Sequence, residues 1–245
     1  IRKAYRNFIP DIFKLAGASG DEAEAKTKTI MELETELAKA SMTRLERRDP
    51  HNTYNKMKLE ELKQLCPNFK WESYFKGLDI EVPDSMNIHQ PDFFKKVNSL
   101  LANTSIETWK TYLRWNLLNN TAAYLTHEFV NANFEFYGKT MQGQEEMKPR
   151  WRRVLDVTNR HLSHPIGKKF IEKHFPPEAK EHMLSLVNNL QKAFAQRIRN
   201  LEWMSEETKD KALEKLSVMN VKIGFPDEWR DFSDLKIESP SYRSE

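Results

Sequence analysis

The residues of this chain whose types and spacing could do chemistry are few. His127-Glu128-Phe129-Val130-Asn131 opens as a two-histidine zinc helix opens, but Asn131 stands where the second histidine should be. Zinc held in that way needs two imidazoles one helical turn apart on one face, so His127 cannot hold the ion alone. The segment reads instead as a surface histidine beside a buried Phe129. His161, His164, His174 and His182 form a second group. His161 and His164 could share a helical face, yet Pro165 interrupts the segment and no nearby cysteine or regular carboxylate completes a tetrahedral set. The basic run Arg150 to Arg153 offers charge for phosphates, with Trp151 for stacking on a base. Its competing reading is a solvated helix face with a buried Trp151. Cys66, next to Pro67, has no recognisable Cys-His-Asn order around it and reads as a buried or idle thiol. Neither a P-loop nor a Gly-rich dinucleotide loop occurs.

Helices must position whatever these residues do. Trp115, Leu118, Ala122, Leu125, Phe129, Ala132 and Phe136 recur at three- and four-residue steps. That spacing predicts one buried face along a helix of about 30 residues beginning near Ser105. Ile30, Leu33, Leu37 and Ala40 give residues 22 to 46 the same pattern. Met183, Leu186, Leu190, Phe194, Ile198 and Leu201 define a third long helix, which Pro176-Pro177 introduces. Shorter helices are predicted near 2 to 15, 58 to 64, 69 to 77, 91 to 101, 149 to 162 and 206 to 218. Ser205 caps the last of these, with Glu206 and Glu207 in its first turn, where they meet the positive end of the helix dipole. Beyond Val218 the helical pattern stops, and Gly224, Pro226, Phe225, Trp229 and Phe232 read as an ordered extended connection.

Composition agrees with a helical protein. Only 7 Gly accompany 31% charged residues in 245, with a mean hydropathy of -0.75. This suits long solvated helices better than sheet. The 39 basic and 36 acidic side chains leave a net charge of +3, which argues against a strong electrostatic nucleic-acid binder. No apolar run approaches the roughly 18 residues of a membrane span. Cys66 can form no internal disulfide, which fits a reducing compartment or an envelope protein without bridges. The chain opens at Ile1 rather than at a methionine and closes on a polar tail, so a piece of a longer protein is expected.

Three blocks carry a resemblance to a known family. Leu201-Glu202-Trp203-Met204-Ser205-Glu206-Glu207-Thr208-Lys209 is followed by Lys215-Leu216 and by Val221-Lys222-Ile223-Gly224-Phe225-Pro226-Asp227. Arg48-Asp49-Pro50 leads into Tyr54-Asn55-Lys56-Met57. Pro149-Arg150-Trp151-Arg152-Arg153 is followed by Ile166-Gly167-Lys168-Lys169-Phe170-Ile171-Glu172-Lys173-His174-Phe175. Over roughly residues 30 to 236, and in family order, the chain resembles the amino-terminal helical region of the neprilysin-like M13 zinc endopeptidases, including the bacterial oligopeptidases. The sequence departs from the family at Val154, where animal members carry a cysteine, and at Ser163, where glycine is common. Asn131-Ala132-Asn133-Phe134 matches only two letters of the family's Asn-Ala-Tyr substrate strand.

The resemblance implies a mainly α fold with little or no sheet. One helical lobe would span residues 1–236, with 237–245 as a polar tail, and residues 1–30 and 220–245 would link to a catalytic lobe. The parent would be an endopeptidase cutting peptides and small unfolded chains on the amino side of hydrophobic residues. Its zinc would sit on His-Glu-x-x-His and a downstream glutamate, with the motif glutamate as general base. None of these residues is in the chain. No catalytic or metal residue is therefore expected here, and no cofactor in this chain, with zinc in the parent. The motif positions Arg48, Asp49, Tyr54, Asn55, Lys56, Met57, Trp151, Arg152, Gly167, Trp203, Met204, Thr208, Lys209, Gly224 and Pro226 would serve structure. Expected partners are the catalytic lobe of the same polypeptide and short peptides, without nucleic acid or a membrane span, in a bacterial envelope or secreted protein. The lobe would cap the active-site cavity and exclude bulk solvent. The alternatives are a free-standing helical module binding protein or nucleic acid, and a scaffold bundle.

Overall fold

The computed structural model describes residues 1–236. The tail expected over 237–245 lies outside the described residues. The described residues are 69% helical, as the chain's glycine poverty and periodicity predict. It divides into two compact units, Ile1–Met147 and a second beginning at Lys148.

In the first unit, α1 (Arg2–Leu15) and α2 (Gly20–Ala40) form an antiparallel-style pair joined by a short loop. Ser19 starts α2 with a capping box: its Oγ accepts from Glu22 N–H at 3.3 Å while Glu22 Oε2 accepts from Ser19 N–H at 3.0 Å. The periodicity expected to run to residue 46 ends at Ala40, because Ser41 is extended. There follow a short 3-10 turn (Glu46–Arg48), α3 (Pro50–Thr53), β1 (Lys56–Met57), α4 (Leu59–Leu65), α5 (Trp71–Gly77), β2 (Met86–Asn87), α6 (Pro91–Asn103) and α7 (Ile106–Thr121). β1 and β2 pair antiparallel, Lys56 opposite Asn87 and Met57 opposite Met86, and are the only sheet among the described residues. After α7 come a 3-10 turn (Ala122–Tyr124), α8 (His127–Asn133) and a wide π-helical stretch (Phe134–Met141).

The predicted 30-residue helix is therefore a broken one. Leu125 is extended (φ -85, ψ -151), and Thr126 takes an N-cap conformation that restarts the helix at His127. The cause is tertiary. In a straight helix Trp115 and Phe136 would stand about 31 Å apart. Instead both rings rest on Phe8 of α1, at centroid distances of 5.6 and 4.9 Å. Only a chain that folds back between them allows both contacts. The predicted face itself is correct: Trp115, Ala122, Phe129 and Phe136 join Phe8, Ile9, Ile12, Phe13, Ala23 and Ile30 in one core, with Leu118, Leu125 and Ala132 packed on it. A second core gathers Leu62, Cys66, Trp71, Phe75 and Ile88. Residues 1–30 supply much of the first core.

The second unit consists of α9 (Arg150–His161), α10 (Ser163–His174), α11 (Pro177–Arg199), α12 (Glu206–Ser217) and the non-helical segment that follows. Pro177 sits at the first position of α11, where its missing N–H costs nothing. Ser205 caps α12 as predicted, its Oγ accepting from Thr208 N–H at 3.3 Å. The burial expected along α11 is not found. Met183, Leu186, Leu190 and Phe194 are exposed; only Ile198 of that series is buried, with Leu201 partly so. The inner side of α11 is Leu184, Val187, Gln191, Ala195 and Ile198, one step round the helix from the predicted stripe.

Candidate functional site

The structure scatters the residues that could do chemistry. His127 is exposed at the first turn of α8, while Phe129 is buried in the first core, as the sequence reading had it. Glu128 is held below the usual carboxylate range by the Thr126 hydroxyl and its own backbone N–H, the ordinary condition of an acid at a helix start. His161 ends α9 and His164 begins α10, with Leu162 as the joint, so they share no face. The interruption falls at Leu162, and Pro165 stands in the first turn of α10. Cys66 is buried, and desolvation pushes its thiol up, away from a reactive thiolate. Among the described residues, no group of three or more His, Cys, Asp or Glu side chains is placed to hold a metal ion.

Several of the motif positions make local structural contacts. Asp49 caps α3, its Oδ1 accepting from His51 N–H at 2.9 Å. Arg48 closes the preceding turn and Tyr54 is exposed. Asn55 locks the small sheet: its N–H donates to Asn87 Oδ1 at 2.7 Å, and its carbonyl accepts from Ile88 N–H at 2.9 Å. Lys56 lies in β1, and Met57 packs on the second core. Lys209 is buried at the start of α12 and pairs with Glu206 at 2.7 Å; Thr208 bonds Ser205, and Met204 is half-buried. Trp203 is exposed.

Trp151 overturns its expected burial, standing 64% exposed on α9. Beside it, Arg152 lies near Asp156, but the carboxylate pairs with Lys148 at 2.8 Å. Arg153 Nε donates to Lys148 O at 3.2 Å.

The segment after α12 is tied down in part by Lys180, which the sequence pattern does not single out. Lys180, on α11, donates to Phe225 O at 3.0 Å and Asp227 Oδ1 at 2.6 Å, with its ammonium 4.4 Å from the Phe225 ring centre. His164 Nδ1 accepts from Arg230 N–H at 3.2 Å. Gly167 faces the Trp229 ring, which stands at ordinary contact distance, 3.6 Å, from where a Cβ would lie. Gly224 has φ +69, and a Cβ there would meet Phe175 Cε1 at 3.0 Å, which accounts for glycine before Phe225-Pro226. No spacing signals the Lys180 contacts, because 45 residues separate donor from acceptor.

These helices and joints define a mainly α region. The amino-terminal model of peptidase family M13 matches residues 1–226, and the chain belongs to that family. Neprilysin-11 of Caenorhabditis elegans is 28% identical over 95% of this chain and 29% of its own length. Endothelin-converting enzyme-like 1 of the mouse is 30% identical over 93% and 30%. Among solved structures, the zinc metalloprotease Zmp1 of Mycobacterium tuberculosis in complex with an inhibitor superposes with a TM-score of 0.88 at 33% identity, covering 96% of this chain and 36% of that one. PepO from Lactobacillus rhamnosis, 18% identical with a TM-score of 0.78, shares the fold over 92% of this chain and 36% of its own. The chain spans about a third of the length of these relatives.

Proposed function

We propose that this chain is the non-catalytic helical lobe of a zinc-dependent metalloendopeptidase, which caps the active-site cavity and restricts substrates to short peptides. The observation that carries the reading is the alignment of 96% of the chain with about a third of a zinc metalloprotease. In this reading the catalytic lobe of the same polypeptide supplies the metal and the general base, and the lobe contributes water exclusion and selection by size. The matched motif residues, from Arg48 to Pro226, hold the lobe's joints rather than touch the reaction. The parent belongs to the cell envelope or is secreted.

Metal analysis and peptide assays on this chain and on the whole protease test the proposal. The chain alone is expected to retain no zinc after dialysis and to cut nothing, while the whole protease binds zinc and loses kcat/KM steeply as peptides lengthen. Stoichiometric zinc in the chain alone, or equal cleavage of short peptides and long unfolded proteins by the whole protease, would sink it. The exposure of Trp151 among arginines favours a second reading, a nucleic-acid contact. Salt-sensitive retention on a polyanion column would support it.

A further inference from the structure

The geometry points to a small-molecule site between α11 and α12, a cleft for an amphipathic organic anion with one carboxylate or phosphate head on an apolar body. This goes beyond the protease reading and does not depend on it, since it rests on the side chains of these two helices alone.

Helical spacing builds the site. Positions 188, 192, 195 and 199 recur at four- and three-residue steps, so they share one face of α11 within about 60°. That face lies opposite the exposed stripe from Met183 to Phe194. Positions 213, 216 and 217 share a face of α12 in the same way. The two helices pack together, and these faces line a cleft of about 530 Å³ between them. Sites for small ligands run from about 300 to 1,000 Å³. The lining divides into two kinds of surface. Ala195, Leu213 and Leu216 are half-buried and form an apolar floor. Asn188, Gln191, Lys192 and Arg199 supply side-chain N–H donors.

Charge names the ligand's head. Lys192 and Arg199 bring two positive charges, and no acid lines the cleft. Three other clefts of the molecule each hold a carboxylate, from Glu22, Glu34 and Asp231. Glu214, the acid of α12 next to Leu213, is engaged by Lys211 at 3.1 Å. Among the described residues, neither cation pairs with an acid, and the amides of Asn188 and Gln191 have no hydrogen-bond partner. The helix dipole accounts for a cation at Arg199, in the last turn of α11. It does not account for Lys192, about 10 Å nearer the middle of the helix. A neutral ligand would leave both charges uncompensated, and an inorganic anion would leave the floor bare. An anionic head on an apolar body satisfies both, through charge-assisted hydrogen bonds and apolar burial. Fatty acids and lipid phosphate monoesters share that chemistry.

Isothermal titration of this chain, and of the whole protein to which it belongs, with octanoate, octyl phosphate and octanol tests the site. Each anion is expected to bind once per chain, and octanol at least about tenfold more weakly. The tighter of the two anions tells a carboxylate ligand from a phosphate one. Lys192→Met and Arg199→Met should each weaken the anions roughly tenfold and leave octanol unchanged. Both side chains are exposed, so helicity by circular dichroism should match the wild type. Ala195→Leu fills the floor and should weaken all three probes. If that variant loosens the packing of α11 on α12, the two charge variants still decide. Octanol binding as tightly as the anions would overturn the inference, as would anion binding that neither charge variant changes. Inorganic phosphate binding as tightly as octyl phosphate would remove the apolar half of the site. Binding by this chain that is absent from the whole protein would show the cleft covered there and would equally overturn it.

Discussion

Phe129 and His127 stand two residues apart and do different work. Phe129 is buried among α1 and α7 side chains, so Phe129→Ala is expected to cost on the order of 3 to 5 kcal/mol of stability. His127 is exposed, and His127→Ala should stay within about 0.5 kcal/mol, with or without added zinc. Denaturant titration of both variants checks this; a larger loss at His127 would reopen the metal reading of the segment. A different kind of polar group sits deeper. Tyr5 donates its hydroxyl proton to Glu34 at 2.9 Å and accepts from Trp115 Nε1 at 3.1 Å, which pins α1 to α2 and α7. Burial pushes the Glu34 carboxyl above its ordinary value, against the opposing hydrogen bond from Tyr5. For an acid raised in the folded state, the associated stability is full below the unfolded value of about 4.3 and is lost as pH rises through the folded value. Glu34→Gln keeps an acceptor for Tyr5 and removes the buried charge. Its Tm should match the wild type near about pH 4 and exceed it near about pH 8. A difference that did not change with pH would refute this.

Helices announce themselves through periodicity, and here most of them were legible: α1, α4, α5, α6, α9 and α12 lie within a few residues of expectation. The break between α7 and α8 was not, because residues 117–126 contain no glycine or proline and the cause is a ring on α1, more than 100 residues away. Periodicity says that a helix has an apolar face; it does not say what covers it. That is why the Met183 to Phe194 stripe was expected to be buried. The segment after α12 shows the same limit. Its glycine and proline mark an extended connection, but the Lys180 contacts that hold it come only from the folded chain. Lys180→Met removes two hydrogen bonds from a largely buried ammonium, and backbone amides of residues 224–233 should then exchange roughly tenfold faster. Exchange in α1 and α2 should not change. Unaltered rates in 224–233 would mean that Phe225 and Trp229 packing alone holds the segment.

At the scale of the whole molecule the uneven burial has a thermodynamic consequence. Both cores lie within Ile1–Met147, where α1, α2, α7, α8 and the π-helical stretch bury large aromatic side chains against one another. The unit beginning at Lys148 buries little of its apolar surface, and at roughly 25 cal/mol per Å² an exposed stripe contributes nothing to folding. Ordering each of its residues still costs about 1 to 2 kcal/mol of backbone entropy. Residues 1–147 prepared alone are therefore expected to keep their helices and unfold in one cooperative transition. Residues 148–236 alone should show weak helicity and no sharp transition. In the intact chain, amides of α9, α10 and α11 should exchange well before those of α1, α2 and α7, the order expected when one unit has a core and the other does not. Hydrogen exchange read by mass spectrometry follows both units in one experiment. Equal protection across the two, lost in a single step, would show that the chain is stabilised as one body and that the second unit draws on more than the contacts described.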